Sequence, residues 1–252
     1  MTPKNQSAKF VLLLAATAAY AVVGSPAPAF AQDGKLKEAK FIIEHNATAN
    51  DTGFQAAVDS DGWERLEIIG PNGVIAEFQG RGPVNELGMT ELFFESVEPE
   101  NTKISIEQML AMFPAGEYEF RASASKLGGS SGALVGTAQL THKIPAGVTL
   151  AEPEEDAVVP LGDVTVSWEP SNKALDGSSV QIISYQLIIE KEEDPHPRMI
   201  GKRGLSMYLP PSVTEITIPA AFFEPDAEYE WEVLAIEDSG NQTLQSSAFR
   251  TK

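Results

Sequence analysis

Two stretches with the same pattern decide the fold of this chain: FPAGEYEFRA (113–122) and FEPDAEYEWEVLA (223–235). Each stretch runs from a phenylalanine through a proline-containing turn to the order Glu-Tyr-Glu-aromatic. After the turn, apolar side chains alternate with charged ones, which is the period-two pattern of a half-buried β-strand. Each stretch therefore predicts a strand that turns one face toward a core.

Tyr118 and Tyr229 come just after the turn, at the start of these strands. This is the place of the tyrosine corner in immunoglobulin-like sandwiches, where the ring packs inside and the hydroxyl bonds to upstream backbone. We therefore predict an all-β fold with two immunoglobulin-like sandwiches in tandem. One short helix is expected in the first domain, because SIEQMLAMF (105–113) has helical apolar spacing and Ser105 with Gln108 makes a capping-box pattern.

The first 31 residues have the layout of a secretory signal peptide. Two lysines precede an apolar run (10–23), and a small-x-small pattern ends at Ala31. The run is shorter than the roughly 20 residues that a membrane-spanning helix needs. We therefore predict a signal peptide over 1–31, cleavage after Ala31 and a periplasmic or secreted protein with no membrane span in the mature chain.

Two domains are predicted after the signal peptide, an N-terminal β-sandwich over 32–145 and a second sandwich over 146–252. The boundary falls in IPAG (144–147), where turn residues separate a strand-like run from an acidic, proline-containing stretch. Further runs with strand character and flanking turn residues lie at 41–44, 53–58, 63–69, 74–78, 92–94, 164–168, 182–190, 214–218 and 246–250.

Four features of the second domain belong together: WEP at 168–170, Tyr185 on the third strand, the run 223–235 and SGN at 239–241. On these features, residues 148–252 resemble a fibronectin type III domain. The charged segment 190–205 departs from that family because it is longer than the usual connection, and we expect a flexible flap there.

A wider resemblance rests on the runs GMTELFFES (88–96) and HKIPAG (142–147). On these runs the chain from 38 to 252 is similar to a class of exported bacterial proteins of unassigned role. That class combines a β-rich N-terminal domain with a C-terminal fibronectin type III domain. The resemblance implies a fold and an exported location, but no reaction.

Composition argues against several chemistries. The chain has 18 basic and 36 acidic residues, a net charge of −18, which disfavours contact with nucleic acid. It has no cysteine, and its histidines at 45, 142 and 196 are far apart, with no nucleophile-elbow, paired-histidine or phosphate-loop motif. We therefore predict no enzyme, no cofactor, and no catalytic, cofactor-binding or metal residue.

Calcium is the one metal that the available oxygen ligands favour. Oxygen-bearing side chains gather around the turns between the first strands, and hard oxygen ligands at one end of a sandwich would suit Ca²⁺. The same residues are ordinary in turns, and their spacing does not match an EF-hand loop. Binding of calcium therefore stays open for Asp51, Asp59 and Asp61, together with Asn46 and Asn50.

The function predicted from the sequence is that of an exported, non-enzymatic binding or scaffold protein. Its contacts with a protein or polysaccharide partner would come from loops or sheet edges, with 190–205 and GRGPVNELGMT (80–90) as candidate surfaces. Charge repulsion favours a monomer. The alternative is a carbohydrate-binding accessory module or a weak glycoside-acting enzyme. It would use acidic residues and Trp63, which follows a turn, whereas Trp168 and Trp231 are in phase with core positions.

Overall fold

A computed structural model describes residues 32–252, so the predicted signal peptide lies outside the described part. The elements of the first sandwich are β1 (Gln32–Lys35), β2 (Glu38–Asn46), β3 (Asp51–Gly70), β4 (Gly73–Gln79), α1 (Pro83–Leu87), β5 (Met89–Glu95), α2 (Ile106–Met112), β6 (Gly116–Ala124) and β7 (Ala133–Leu140). Those of the second are β8 (Thr149–Glu152), β9 (Ala157–Val159), β10 (Val164–Glu169), β11 (Ile182–Lys191), β12 (Gly204–Leu209), β13 (Glu215–Ile218), a 3-10 turn (Ala220–Phe222), β14 (Glu228–Glu237) and β15 (Gln242–Thr251).

The long strand β3 joins two groups of strands in the first sandwich. Its first part pairs with β2 and β5, and its second part pairs with β4 and β6. The register shifts between the two parts around Gly62, whose φ of +148° is a conformation that glycine tolerates best. β6 continues to β7, and the apolar core of the first sandwich is built from residues between Leu36 and Ile144.

The second sandwich packs a three-stranded sheet, β13–β10–β8, against the sheet that contains β15, β14, β11 and β12. Its core is built from residues between Val148 and Phe249, and Trp231 at its centre is fully buried. The predicted all-β fold of two fibronectin type III-like sandwiches is confirmed.

The predicted helix is present as α2. Ser105 Oγ accepts a hydrogen bond from the Gln108 N–H (3.3 Å), and Gln108 Oε1 accepts one from the Ser105 N–H (2.9 Å), so the capping box is complete. The five-residue helix α1 lies inside the segment 80–90, for which the sequence analysis predicted a loop. In residues 32–252 the helices are too short to cross a membrane.

Both tyrosine corners are confirmed. The Tyr118 and Tyr229 side chains are 1% exposed. Tyr118 Oη donates to the carbonyl of Pro114 (3.0 Å), and Tyr229 Oη accepts from the N–H of Glu224 (2.8 Å). Each ring therefore lies in a core while its hydroxyl holds the turn that precedes the strand.

Removal of either hydroxyl is expected to lower the free energy of unfolding. Tyr118→Phe and Tyr229→Phe each lose one hydrogen bond to backbone and should cost about 1–1.5 kcal/mol, measured by urea denaturation. Tyr208→Phe is the matched control, because Tyr208 is 68% exposed. If all three variants had the same free energy of unfolding as the parent protein, the hydroxyls of Tyr118 and Tyr229 would not stabilise the fold.

The two sandwiches share a sheet, an arrangement that the sequence analysis did not include. β2 of the first sandwich pairs in parallel with β15 of the second, with Glu44 opposite Gln242 and Asn46 opposite Leu244. The pairing produces one sheet of twelve strands that runs through both sandwiches. Backbone hydrogen bonds therefore fix the two cores relative to each other.

Asn241 supports this junction with its side chain. It is 1% exposed, and its Oδ1 accepts a hydrogen bond from the N–H of Ile43 (2.9 Å). Its Nδ2 donates to the carbonyls of Thr141 (3.0 Å) and Lys143 (2.8 Å). One amide from the second sandwich thus satisfies three backbone groups of the first.

Candidate functional site: a groove across the shared sheet

The outward face of the shared sheet forms a groove. Eight strands contribute to its lining: seven neighbouring strands in the order β5–β3–β2–β15–β14–β11–β12, and β7 through Ala138 and Gln139. The volume is about 920 Å³, near the upper end of the range of roughly 300–1,000 Å³ found for ligand pockets. Because both sandwiches contribute strands, the groove depends on the pairing of β2 with β15.

The floor of the groove is apolar. Leu234 lies directly opposite Leu244, and the two side chains are 3% and 8% exposed. Ile236 follows Leu234 on the same face of β14, and Ile42 adds an apolar side chain from β2. These residues point away from the core that holds Val233 and its alternating neighbours, so β14 is apolar on both faces from Val233 to Ile236.

The floor was missed because the strand pattern changes within β14. The alternation that begins at Tyr229 ends at Glu232, and the next four residues, VLAI (233–236), are all apolar. A strand that is apolar in consecutive positions is typical of burial on both faces. That signal was present in the sequence, but only the alternating part was interpreted.

Exposed aromatic side chains mark the two sides of the groove. Phe93 on β5 is 57% exposed and Tyr208 on β12 is 68% exposed. Between them, Gln242 Nε2 donates to the carboxylate of Glu44 and to Gln55 Oε1 (3.2 Å). The groove thus combines an apolar floor, two aromatic margins and a line of polar groups that is anchored at the junction.

Carboxylates in and beside the groove are held close to one another. Burial raises the pKa of Glu44, and the charges of Glu95 and Asp51 raise it further. Burial raises the pKa of Glu98 to about 7, with added repulsion from Glu44 and Asp51. Glu98 Oε1 is buried without a hydrogen-bond partner. This side of the groove therefore has more negative charge than the described side chains compensate.

Glu232 lies in the groove on the second sandwich. Burial, followed by the charges of Glu230 and Glu190, raises its pKa from an ordinary 4.5 to about 7. Between these two values the folded chain binds more protons than the unfolded chain, so stability falls as the pH rises through this window. Above pH 7 the full cost of the buried charge is present.

Glu232→Gln is therefore expected to stabilise the protein in a pH-dependent way. At about pH 8 the free energy of unfolding should rise by about 1–2 kcal/mol, after allowance for solvent screening, and at about pH 4 the gain should vanish. Urea denaturation at both pH values measures the difference. Glu228→Gln, on the same strand but exposed and paired with Arg250 (3.3 Å), should show no gain at pH 8. A gain at pH 4 equal to that at pH 8 would contradict the titration of Glu232.

The calcium candidates do not come together. Asp51 lies opposite Asn46 at one end of the β2–β3 hairpin, and Asp59 lies opposite Glu38 at the other end, about 26 Å along the strand. Asp61 forms an ion pair with Lys37 (2.5 Å). Within residues 32–252 no group of three or more His, Asp or Glu side chains is placed to hold a metal ion. The structure therefore does not bring Asp51, Asp59 and Asp61 together at one place.

Trp63 is not available to a ligand. The expectation that Trp63 could contact a ligand is wrong, because its side chain is 0% exposed and belongs to the first core. Trp168 and Trp231 are core residues, as predicted, with 3% and 0% exposure. The register shift in β3 explains the error, since it places Trp63 in phase with the core after a turn-like sequence.

The histidines remain apart. His45 is 6% exposed, and its Nδ1 lies 2.9 Å from both the carbonyl of Asp51 and Thr52 Oγ1. Burial lowers the pKa of His45, which favours the neutral ring. His142 Nε2 bonds to the carbonyl of Phe113 (2.8 Å), and His196 lies in the exposed segment 190–205. Each ring thus has a local role in a different part of the described chain.

The two candidate surfaces from the sequence lie outside the groove. None of the residues described as lining it comes from 80–90 or from 190–205. The base of the 190–205 segment is held by ion pairs, since Arg203 contacts Glu193 (2.6 Å) and Glu224 (2.7 Å). Met199 and Ile200 at its tip are exposed.

Comparison with known proteins gives neither a matching family model nor a curated relative. Among solved structures, the chain is similar to a two fibronectin type III domain segment from chicken tenascin. That likeness has 15% identity and a TM-score of 0.28, and covers 88% of this chain and 99% of that chain. It is also similar to the FN1–FN3 domains of chicken CNTN1, with 10% identity and a TM-score of 0.34, over 88% of this chain and 67% of that one. Sequence identities and TM-scores this low give no information about which ligand this chain binds.

Proposed function

We propose that this chain is an exported, non-enzymatic binding or scaffold protein that holds its partner in the groove of the shared sheet. The observation that carries the proposal is the outward face of seven strands, with an apolar floor drawn from both sandwiches. The lining also exposes Phe93, Tyr208 and Ile183, and exposed apolar side chains that gather on one surface are typical of an interaction site. The predicted signal peptide supports a periplasmic or secreted location.

The junction supports a preformed site. In this proposal the two sandwiches, 32–145 and 146–252, act as one binding unit, because the β2–β15 pairing and Asn241 connect them. A site whose walls are fixed before binding loses less conformational freedom when a ligand arrives. A flexible tandem of domains would have to order both walls first.

The groove is a better candidate than the sugar-binding alternative. That alternative depended on a tryptophan that stacks on a ring, and all three tryptophans are buried in the two cores. The proposal also differs from contact through loops, because neither 80–90 nor 190–205 reaches the groove lining. A sheet face, rather than a loop or a strand edge, is therefore the proposed contact surface.

A capture experiment with matched variants tests this proposal. The purified protein, immobilised and exposed to native cell envelope, is compared with Phe93→Ser/Tyr208→Ser, which removes both exposed margins of the groove. The control, Leu87→Ser/Ile200→Ser, changes one exposed apolar residue in each candidate loop segment. Loss of the captured species with the groove variant alone supports the groove. Loss with the loop variant alone would place the contact on the loops and overturn the proposal.

A further inference from the structure

We infer that the groove binds an extended cationic polypeptide segment that turns both basic and apolar side chains toward it, in turn at every second residue. This inference rests on the proposed function and names the chemistry of the partner. Three features of the groove support it: the unbalanced charge of the lining, the side chains of the floor, and the length of the groove.

The lining has an excess of uncompensated carboxylates. Of the described lining residues five are acidic and one, Lys40, is basic, and Lys40 already pairs with Glu38 (2.5 Å). The remaining acidic residues form no ion pair within residues 32–252; they are Glu44, Glu91, Glu232 and Asp238. A bound cation would relieve their mutual repulsion, whereas an anionic ligand would increase it.

The floor adds a requirement for apolar side chains. Glu232 and Leu234 are two positions apart on one face of β14, and Glu44 lies beside Ile42 in the same way on β2. Carboxylates thus lie next to apolar side chains along both strands, about 7 Å apart. A small hydrated cation would make no contact with these apolar side chains. An extended chain whose every second side chain is in turn lysine and aliphatic would contact both, because residues two apart point to the same face.

The polar groups suit a peptide backbone. Gln55, Gln186 and Gln242 line the groove, and their amides both donate and accept hydrogen bonds. Along β2 the lining extends from Glu38 to Glu44, a rise of six residues or about 20 Å. An extended chain covers that distance with about seven residues. The proposed ligand is therefore an extended segment of at least this length that runs along the strands.

Direct binding measurements with defined peptides test the inference. The probe is a fluorescent peptide of about nine residues that repeats Lys-Lys-Val-Val, so that each face of the extended chain presents lysine and valine in turn. It is titrated with the full protein and followed by anisotropy. Two comparison peptides replace lysine with glutamine or valine with serine. The lysine–valine peptide is expected to bind at least tenfold more tightly than either, and to weaken as salt is added.

Charge-matched variants locate the site. Glu44→Gln/Glu232→Gln should weaken binding of the lysine–valine peptide by at least tenfold. The control, Glu117→Gln/Glu228→Gln, removes the same number of charges from exposed positions outside the lining and should change the affinity by less than about twofold. Circular dichroism and urea denaturation confirm that both pairs fold.

The possible outcomes separate the two proposals. Equal weakening by both charge variants would mean general attraction to an acidic protein, and it overturns the inference. Equal affinity for the lysine–valine and glutamine–valine peptides overturns its cationic part. Absence of binding by every peptide up to about 1 mM, together with envelope capture that still requires Phe93 and Tyr208, overturns the peptide class and leaves the proposed function standing.

Discussion

Asn241→Ala is expected to lower the free energy of unfolding by about 4 kcal/mol, the largest effect of any polar substitution proposed for this protein. The change removes the acceptor of the Ile43 N–H and the donor to the carbonyls of Thr141 and Lys143. Ile43 is fully buried, so its N–H has no access to water in the folded state. Each buried group left without a partner costs about 1–3 kcal/mol.

Two measurements identify the cause of that loss. Urea denaturation gives the change in stability, and hydrogen exchange should show faster opening at the Ile43 amide. Asn172→Ala is the control, because Asn172 is exposed and its side chain makes no hydrogen bond within the described structure; the change should be within about 0.5 kcal/mol. A similar loss of stability in Asn241→Ala and Asn172→Ala would mean that the buried hydrogen bonds of Asn241 do not stabilise the junction.

Asn241→Asp tests the direction of the hydrogen bonds. The carboxylate has nearly the same shape and still accepts from Ile43, but it has no donor for the carbonyls of Thr141 and Lys143. At about pH 8 the substitution should therefore destabilise at least as much as alanine. Stability should recover partly at low pH, where the protonated carboxyl regains one donor.

The sequence predicted the cores better than the junction. The pattern around Tyr118 and Tyr229 predicted both sandwiches because alternation and the tyrosine corner are local signals. Asn241 was noticed only as part of a turn. Its partners are 98 to 198 residues away, and nothing in the local pattern says which backbone groups its amide meets.

Only part of the groove could be predicted from the sequence. The apolar run at 233–236 indicated a second buried face on β14, but the cover for that face depends on how β2 meets β15. Parallel pairing between strands of different domains has no local signature, since register follows from which faces are buried. The carboxylates were equally hard to single out, because an acidic chain offers many pairs. Only the fold decides which of them become buried.

Gly70→Ala is expected to lower the free energy of unfolding by about 3 kcal/mol, although alanine is the smallest possible addition. A Cβ at this position would lie 2.6 Å from Tyr118 Cε1. The ring has no free direction of movement, because it stacks on Phe41 (centroids 4.4 Å apart) and its hydroxyl bonds to Pro114. The methyl group therefore either strains the core or breaks the tyrosine corner, at about 1–3 kcal/mol for strain and about 1 kcal/mol for the hydrogen bond.

A double-mutant cycle separates this clash from an ordinary glycine effect. Gly201→Ala, which meets no atom within 4 Å, is the control and should be nearly neutral. In a Tyr118→Leu background the smaller side chain makes room for the methyl group, so Gly70→Ala should cost less than about 1 kcal/mol there, a coupling of about 2 kcal/mol. If Gly70→Ala costs the same with tyrosine and with leucine at 118, the ring does not pack on Gly70. Glycine at 70 would then reflect only the turn that follows it. With the coupling present, the tyrosine corner of the first sandwich needs a glycine on the neighbouring strand as well as the turn before it.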